Sequence, residues 1–217
     1  MREKIHPLAR AIAAFARGLS GVQVRWQGCQ PEPRQRIYFA NHTSHLDFVV
    51  LWSALPFPLR ARTRPVAAKD YWQAGFRSFL AERVFQAVLV ERGKAARAGH
   101  EVSHGAGLAV IEQLAEAMGE RDSLIFFPEG TRGTGERVGE FKSGLYHLAK
   151  RRPDVELIPA YLENLNRILP KGEILPVPLV SILTFGAPIR VEDGESKREF
   201  LERARTALVS LERKGQA

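Results

Sequence analysis

The sequence predicts an α/β domain, a largely parallel or mixed sheet with helices packed on it. Three observations predict it. Short apolar segments bounded by turn residues alternate along the chain with longer segments of helical period. No internal repeat and no Pro/Gly/Ser linker divides the 217 residues, a length that suits one sizeable core. The composition, 45% hydrophobic and 26% charged without a low-complexity tract, belongs to a folded chain and excludes a disordered one.

The elements follow in order. Ile5, Leu8, Ile12, Phe15 and Leu19 recur at spacings of three and four, so residues 4–18 read as an amphipathic helix, with Arg2, Lys4, Arg10 and Arg17 around the stripe. Two strands come next, Val22–Trp26 and Arg36–Ala40, and then an apolar helical stretch over 46–55. Strands at Arg64–Ala67 and Gln86–Val90 enclose a helical stretch near 70–82. Leu108, Ile111, Leu114, Ala115 and Met118 mark a helix that Gly119 should close. Ser123–Phe127 reads as a strand, Phe141–Lys150 as a helix, Val155–Tyr161 as a strand interrupted by Pro159, and Pro178–Phe185 as another strand. Ser196 and Glu199 form a capping box that opens the last helix, with Phe200, Leu201, Ala204, Leu208 and Leu211 on one face. The helix over residues 1–19 is expected to stand apart from a domain over 20–217.

The formal net charge of +8 makes a surface that attracts anions, either nucleic acid or lipid headgroups. No recognition helix and no aromatic residues interleaved with basic ones favour nucleic acid, which is therefore not an expected partner. No apolar run reaches 18 residues, and the N-terminus lacks the apolar stretch and cleavage site of a signal peptide. The expected location is the cytoplasm, dissolved or lying on a membrane. A single cysteine, Cys29, excludes an internal disulfide and suits a reducing compartment.

Ligands of such sheets bind in loops beyond the carboxyl ends of strands, which singles out the loops after Ala40, Val90 and Phe127. The first reads Asn41-His42-Thr43-Ser44-His45-Leu46-Asp47. A strand-to-helix turn there can bring the Asp47 carboxylate onto one nitrogen of His42 and leave the other as a base for a hydroxyl proton. The same residues also suit plain helix initiation, with Asn41 or Ser44 as N-cap and Asp47 in the first turn. His42, His45 and Asp47 lack a further Cys/His cluster to complete a coordination shell, so no metal is expected. There is no G-x-S-x-G elbow, and Cys29 sits in a polar turn, so no covalent nucleophile is indicated. A His–Asp pair without a nucleophile implies direct attack by a substrate hydroxyl on an activated acyl group, such as a thioester. The loop after Phe127 presents Glu129, Thr131 and Arg132 on a Pro/Gly turn, where Arg132 and turn amides can bind phosphate, or where an arginine is simply solvated. Arg92 lies at a comparable edge beyond Val90.

Asn41-His42-x-Ser44-x-x-Asp47 and Phe127-Pro128-Glu129-Gly130-Thr131-Arg132 resemble the two signature blocks of the glycerolipid acyltransferases, whose best-known members act on 1-acylglycerol 3-phosphate. Ala68-Lys69, Val90-Glu91-Arg92, Phe141-Lys142-x-Gly144, Leu157-Ile158-Pro159-Ala160 and Phe185-Gly186-Ala187-Pro188-Ile189 resemble further family blocks in the family's order, over roughly residues 20 to 190. Two departures stand out: Gly133 where many members have serine, and Val90-Glu91 before Arg92. Asn166-Arg167-x-x-Pro170-Lys171-Gly172 looks like a family loop without an assigned role.

The resemblance implies a glycerolphosphate-acyltransferase-type domain and a role for each matching residue. His42 would be the general base, oriented by Asp47. Arg92 and Arg132 would hold the acceptor phosphate, with Lys69 as a further candidate. Glu129, Gly130 and Thr131 would shape the acceptor pocket. The implied reaction moves a fatty acyl group from acyl-CoA or acyl-carrier protein, without a cofactor, onto the hydroxyl of a lysophospholipid, in the first place 1-acyl-sn-glycerol 3-phosphate. It would run at an anionic membrane surface on the cytoplasmic side. Another lyso-lipid acceptor, such as an aminolipid, and a non-catalytic anionic-lipid-binding module are the alternatives. Intact His42 and Asp47 weigh against the latter.

Overall fold

The computed structural model describes residues 7–44, 46–72, 75–91, 104–165 and 181–212. Its elements run α1 (Pro7–Ser20), β1 (Gln23–Trp26), β2 (Arg36–Ala40), α2 (Asp47–Ala54), α3 (Phe57–Arg60), β3 (Thr63–Ala68), α4 (Lys69–Trp72) and α5 (Gly75–Phe79). A π turn (Leu80–Val84) leads to β4 (Val88–Val90), α6 (His104–Met118), β5 (Ser123–Phe126), α7 (Gly144–Arg151), β6 (Glu156–Glu163), β7 (Ile182–Phe185) and α8 (Lys197–Val209). The strands form one seven-stranded sheet in the order β1-β7-β6-β2-β5-β3-β4. β2 through β6 run in one direction; β7 is antiparallel to β6, and β1 is parallel to β7.

β2 is the centre of this sheet because every residue in it is buried. Ile37 and Phe39 point to one face, where they meet Leu114, Met118, Leu148, Phe200 and Leu208 from α6, α7 and α8. Tyr38 and Ala40 point to the other, beside Val50, Leu51, Trp52 and Phe85 and the alanines of α1. Arg36, only 2% exposed, is tolerated at the start of this strand because its Nε pairs with Glu156 at 3.0 Å and its Nη1 donates to the Gln30 carbonyl at 2.7 Å. At the far edge, Trp26 stacks on Phe185 at 4.1 Å and ties β1 to β7.

Most elements fall where the sequence places them, and the exceptions have physical causes. Gly119 closes α6 at φ +49° and donates to the Ala115 and Glu116 carbonyls. The capping box of α8 is complete: Glu199 N–H donates to Ser196 Oγ, and Ser196 N–H donates to the Glu199 carboxylate. β6 is not interrupted at Pro159. Leu157 exchanges both backbone hydrogen bonds with Ile189, and the Pro159 carbonyl accepts from Gly186 N–H, so the missing proline donor faces the break between those contacts. The stretch near 70–82 is two short helices and a π turn instead of one helix, and α7 starts only at Gly144. The 178–180 part of the expected last strand lies outside the described residues.

α1 also corrects the expected stripe. Ala9, Ala13, Ala16 and Ser20 form its buried face, against α2. Leu8, Ile12 and Leu19 are half-buried along one flank, and Phe15 is 70% exposed. Small side chains let α1 approach α2 closely, so the bulky stripe is displaced to the side.

Candidate active site

The carboxyl ends of β2, β3, β4 and β5 share one edge of the sheet, and the residues of interest gather there. Beyond Ala40, the Asn41 side chain continues the ladder. Its Nδ2 donates to the Leu162 carbonyl at 2.9 Å, and its Oδ1 accepts from Leu162 N–H at 2.8 Å. This anchors the loop to β6 just before His42. The N-cap of α2 is Leu46, without a side-chain capping bond, so neither Asn41 nor Ser44 takes the expected cap. Ser44 Oγ instead accepts from Leu46 N–H at 3.2 Å.

His42 Nδ1 lies 2.9 Å from Asp47 Oδ2. The same oxygen accepts from Thr43 N–H at 2.6 Å and Ser44 N–H at 2.8 Å. Asp47 is fully buried, and three donors on one oxygen fix its direction. A proton shared with a carboxylate at Nδ1 leaves the lone pair on Nε2. The ring stacks on Phe127 at 4.3 Å and 23°, and its side chain stays 19% exposed, with no partner at Nε2 among the described residues. The imidazole is thus held on one side and open on the other.

The loop after β5 clasps the same peptide. Glu129 Oε1 accepts from His42 N–H at 2.8 Å, and Gly133 N–H donates to the His42 carbonyl at 2.8 Å. Glu129 Oε2 accepts from Gly139 N–H at 2.9 Å. Glu129 is 6% exposed, so its carboxylate faces backbone amides and not solvent. A Cβ at Gly139 would sit 2.9 Å from Glu129 Oε2, which explains glycine there. A Cβ at Gly133 would sit 3.5 Å from the same oxygen, an ordinary contact, so the serine common in the family would fit as well. Asn41, Phe127 and Gly139 are supporting residues that sequence reasoning did not single out. The place of Asn41 inside the first motif and of Phe127 at the head of the second hinted at their parts; Gly139 stands outside both.

Gly130 turns the loop at φ +71°, and Thr131 and Arg132 beyond it are exposed. Arg132 has no hydrogen bond or ion pair among the described residues. At the end of β3, Lys69 Nζ pairs with Glu91 Oε1 at 2.7 Å, linking the β3 and β4 ends. That contact is exposed and salt-screened. Arg92 and His45, and the loop from Asn166 to Gly172, lie outside the described residues. Among the described residues, no group of three or more His, Cys, Asp or Glu side chains is arranged to hold a metal ion. The arrangement can therefore take a proton at His42 Nε2, stabilise the resulting imidazolium through Asp47, and offer a free guanidinium nearby in the chain's second motif.

An oriented, open histidine at the carboxyl edge of an α/β sheet can serve as the base for attack by a hydroxyl. The family model described as Acyltransferase matches residues 22–163, and the chain belongs to that family. The 1-acyl-sn-glycerol-3-phosphate acyltransferase of Limnanthes douglasii is 29% identical over 179 residues, covering 80% of this chain and 57% of that protein. The alpha form of the same enzyme from Mus musculus is 26% identical over 172 residues, covering 76% and 54%. The chain thus spans little more than half the length of these relatives. The crystal structure of the 1-acyl-sn-glycerophosphate acyltransferase PlsC from Thermotoga maritima matches 94% of this chain and 78% of that one, with a TM-score of 0.67 at 21% identity. The fold is shared.

Proposed function

We propose that this chain transfers a fatty acyl group from a thioester, acyl-CoA or acyl-carrier protein, to the free hydroxyl of 1-acyl-sn-glycerol 3-phosphate. The observation that carries this reading is the His42–Asp47 pair with Nε2 unpartnered at the sheet edge of an acyltransferase-family domain. The acceptor hydroxyl gives its proton to Nε2 as its oxygen attacks the thioester carbonyl. Asp47 stabilises the imidazolium without taking the proton. When the tetrahedral intermediate collapses, the C–S bond breaks and the imidazolium proton goes to the departing thiolate. The products are phosphatidic acid and a free thiol. A transfer assay with radiolabelled donor tests the reading. Product that depends on both thioester and acceptor supports it, and hydrolysis without transfer overturns it.

Arg132, with Arg92, is assigned to the acceptor phosphate. A guanidinium binds phosphate through a planar pair of donors that an ammonium lacks. Arg132→Lys should raise the acceptor KM, Arg132→Ala should raise it further, and the donor KM should move much less. If alanine hardly changes the acceptor KM, the acceptor bears no phosphate at this position, and the His42–Asp47 chemistry stands without it.

The reaction is placed on a membrane surface, with α1 in the interface. The outward side of α1 exposes Pro7, Ala11, Ala14, Phe15 and Gly18, and its only charges there are Arg10 and Arg17. No helix among the described residues is long and apolar enough to cross a membrane. Truncating α1 would strip the core of its alanine face, so a point change is the cleaner test. Burying a phenylalanine side chain contributes about 1.5–3 kcal/mol, so Phe15→Glu should weaken binding to vesicles at least about tenfold. Unchanged co-sedimentation would mean that α1 serves packing alone.

A further inference from the structure

The amino ends of β2, β5 and β3 lie side by side, at the opposite end of the strands from His42. Arg36 N–H donates to Ser123 Oγ at 2.9 Å, and Ser123 N–H donates to the Arg62 carbonyl at 2.7 Å. These bonds bring the three strand starts into one row. Arg34 stands two residues before β2, Arg121 two before β5 and Arg62 one before β3. Neighbouring strands are about 4.8 Å apart, so one small ligand can span the three. Arg10 of α1 joins them, and all four arginines line one cavity of about 630 Å3.

The cavity has an apolar wall, formed by Phe57, Pro58 and Leu59 of α3 with Pro33. No aspartate or glutamate is among its lining residues. Arg10, Arg62 and Arg121 are exposed and the Arg34 side chain is 63% exposed, so a ligand reaches them from solvent. Arg34 pairs with Glu32 at 2.7 Å and with Glu156 at 3.4 Å, but Glu156 already holds Arg36 at 3.0 Å. Asp122 lies 3.8 Å from Arg64. Even with the exposed Glu120 counted, these carboxylates are fewer than the arginines at this edge.

One phosphate group engages one or two guanidinium forks, so four arginines suit a ligand with two phosphate groups. Phe57, 50% exposed, offers a ring face on which a planar base can stack. The volume falls in the range of small-molecule sites. We propose that this cavity binds a nucleoside diphosphate group, with its phosphates on the four arginines and its base against Phe57. The group can be a free nucleotide or the nucleotide end of the acyl-CoA donor. His42 follows β2, whose 5 residues span about 17 Å at about 3.3 Å each, so this site is separate from the proton transfer. The donor source alone rests on the proposed acyl transfer.

Calorimetric titration of the full chain with ADP, pyrophosphate and inorganic phosphate tests the site. ADP should bind most tightly and inorganic phosphate least. Arg10→Gln and Arg62→Gln/Arg121→Gln should each weaken ADP about tenfold or more, the size of one charge-assisted hydrogen bond. Arg10 is exposed and makes no hydrogen bond or ion pair among the described residues, so its variant should fold. Phe57→Ala should weaken ADP about fivefold or more and leave pyrophosphate unchanged, because only the base meets the ring. The control Lys197→Gln/Arg198→Gln, on α8 over the other face of the sheet, should bind ADP like the wild type. No binding of ADP, or an equal loss in the control, overturns the site. Equal affinity for ADP and pyrophosphate removes the base and overturns it as a nucleotide site. Two further arms identify the source. If CoA binds more tightly than ADP, and ADP raises the acyl-CoA KM at unchanged kcat, the nucleotide is the donor's. If ADP binds and that KM does not move, the ligand is a free nucleotide. A chain that binds ADP but transfers no acyl group removes the acyl-transfer reading and leaves this site standing.

Discussion

Replacing His42 with alanine is expected to lower kcat by about 10²- to 10⁴-fold, the usual contribution of a positioned general base. The fold should survive, because the imidazole contributes one stacking contact with Phe127 and one hydrogen bond to Asp47, while the loop is held through main-chain atoms by Glu129 and Gly133. An unchanged circular dichroism spectrum with lost turnover is the expected pair of results. A folded variant within a few-fold of wild-type activity would remove His42 from the mechanism. Asp47→Asn should mostly follow it. The amide keeps the shape but not the charge that stabilises imidazolium, and the equivalent change in a Ser-His-Asp triad costs about 10⁴-fold. The loss should fall on kcat more than on the acceptor KM.

Glu129→Gln carries the second large effect. Both carboxylate oxygens accept backbone N–H groups, one from His42 and one from Gly139. A glutamine supplies one acceptor, so its NH2 must face a backbone donor, and an unsatisfied buried donor costs about 1–3 kcal/mol. The thermal midpoint should fall accordingly. The strain reaches the peptide that carries the base, and a displacement of about 1 Å there can cost about 10²-fold in rate. Hence kcat should drop while both KM values stay within a few-fold. A variant whose acceptor KM rises at unchanged kcat would show instead that Glu129 contacts the acceptor, the role implied by the family resemblance.

Much of the site was legible because its chemistry is local. His42 and Asp47 lie five residues apart across one turn, so the hydrogen bond between them needs only that the strand end and the helix start where their side chains dictate. β2 was bounded to the residue for a similar reason: a short apolar run stands between Gln35 and Asn41, and burial on both faces demands it. The α8 capping box was equally plain, since both of its bonds span three residues.

What the sequence by itself determined, then, is the alternation of strands and helices, the Gly119 and Ser196–Glu199 caps and the His–Asp pair, all set by interactions within a turn or two of the chain. Only the tertiary structure decided that β1 and β2 are not neighbours, that β1 and β7 run against the other strands, and that Pro159 faces a gap in the ladder. It also decided that α1 buries its alanines and not its bulky stripe, because burial depends on the surface that α2 presents. Glu129 reaches the His42 amide across 87 positions and Gly139 across 10. Such partners leave no spacing to read, since their meeting is fixed by how the sheet is ordered and by which faces remain to be covered.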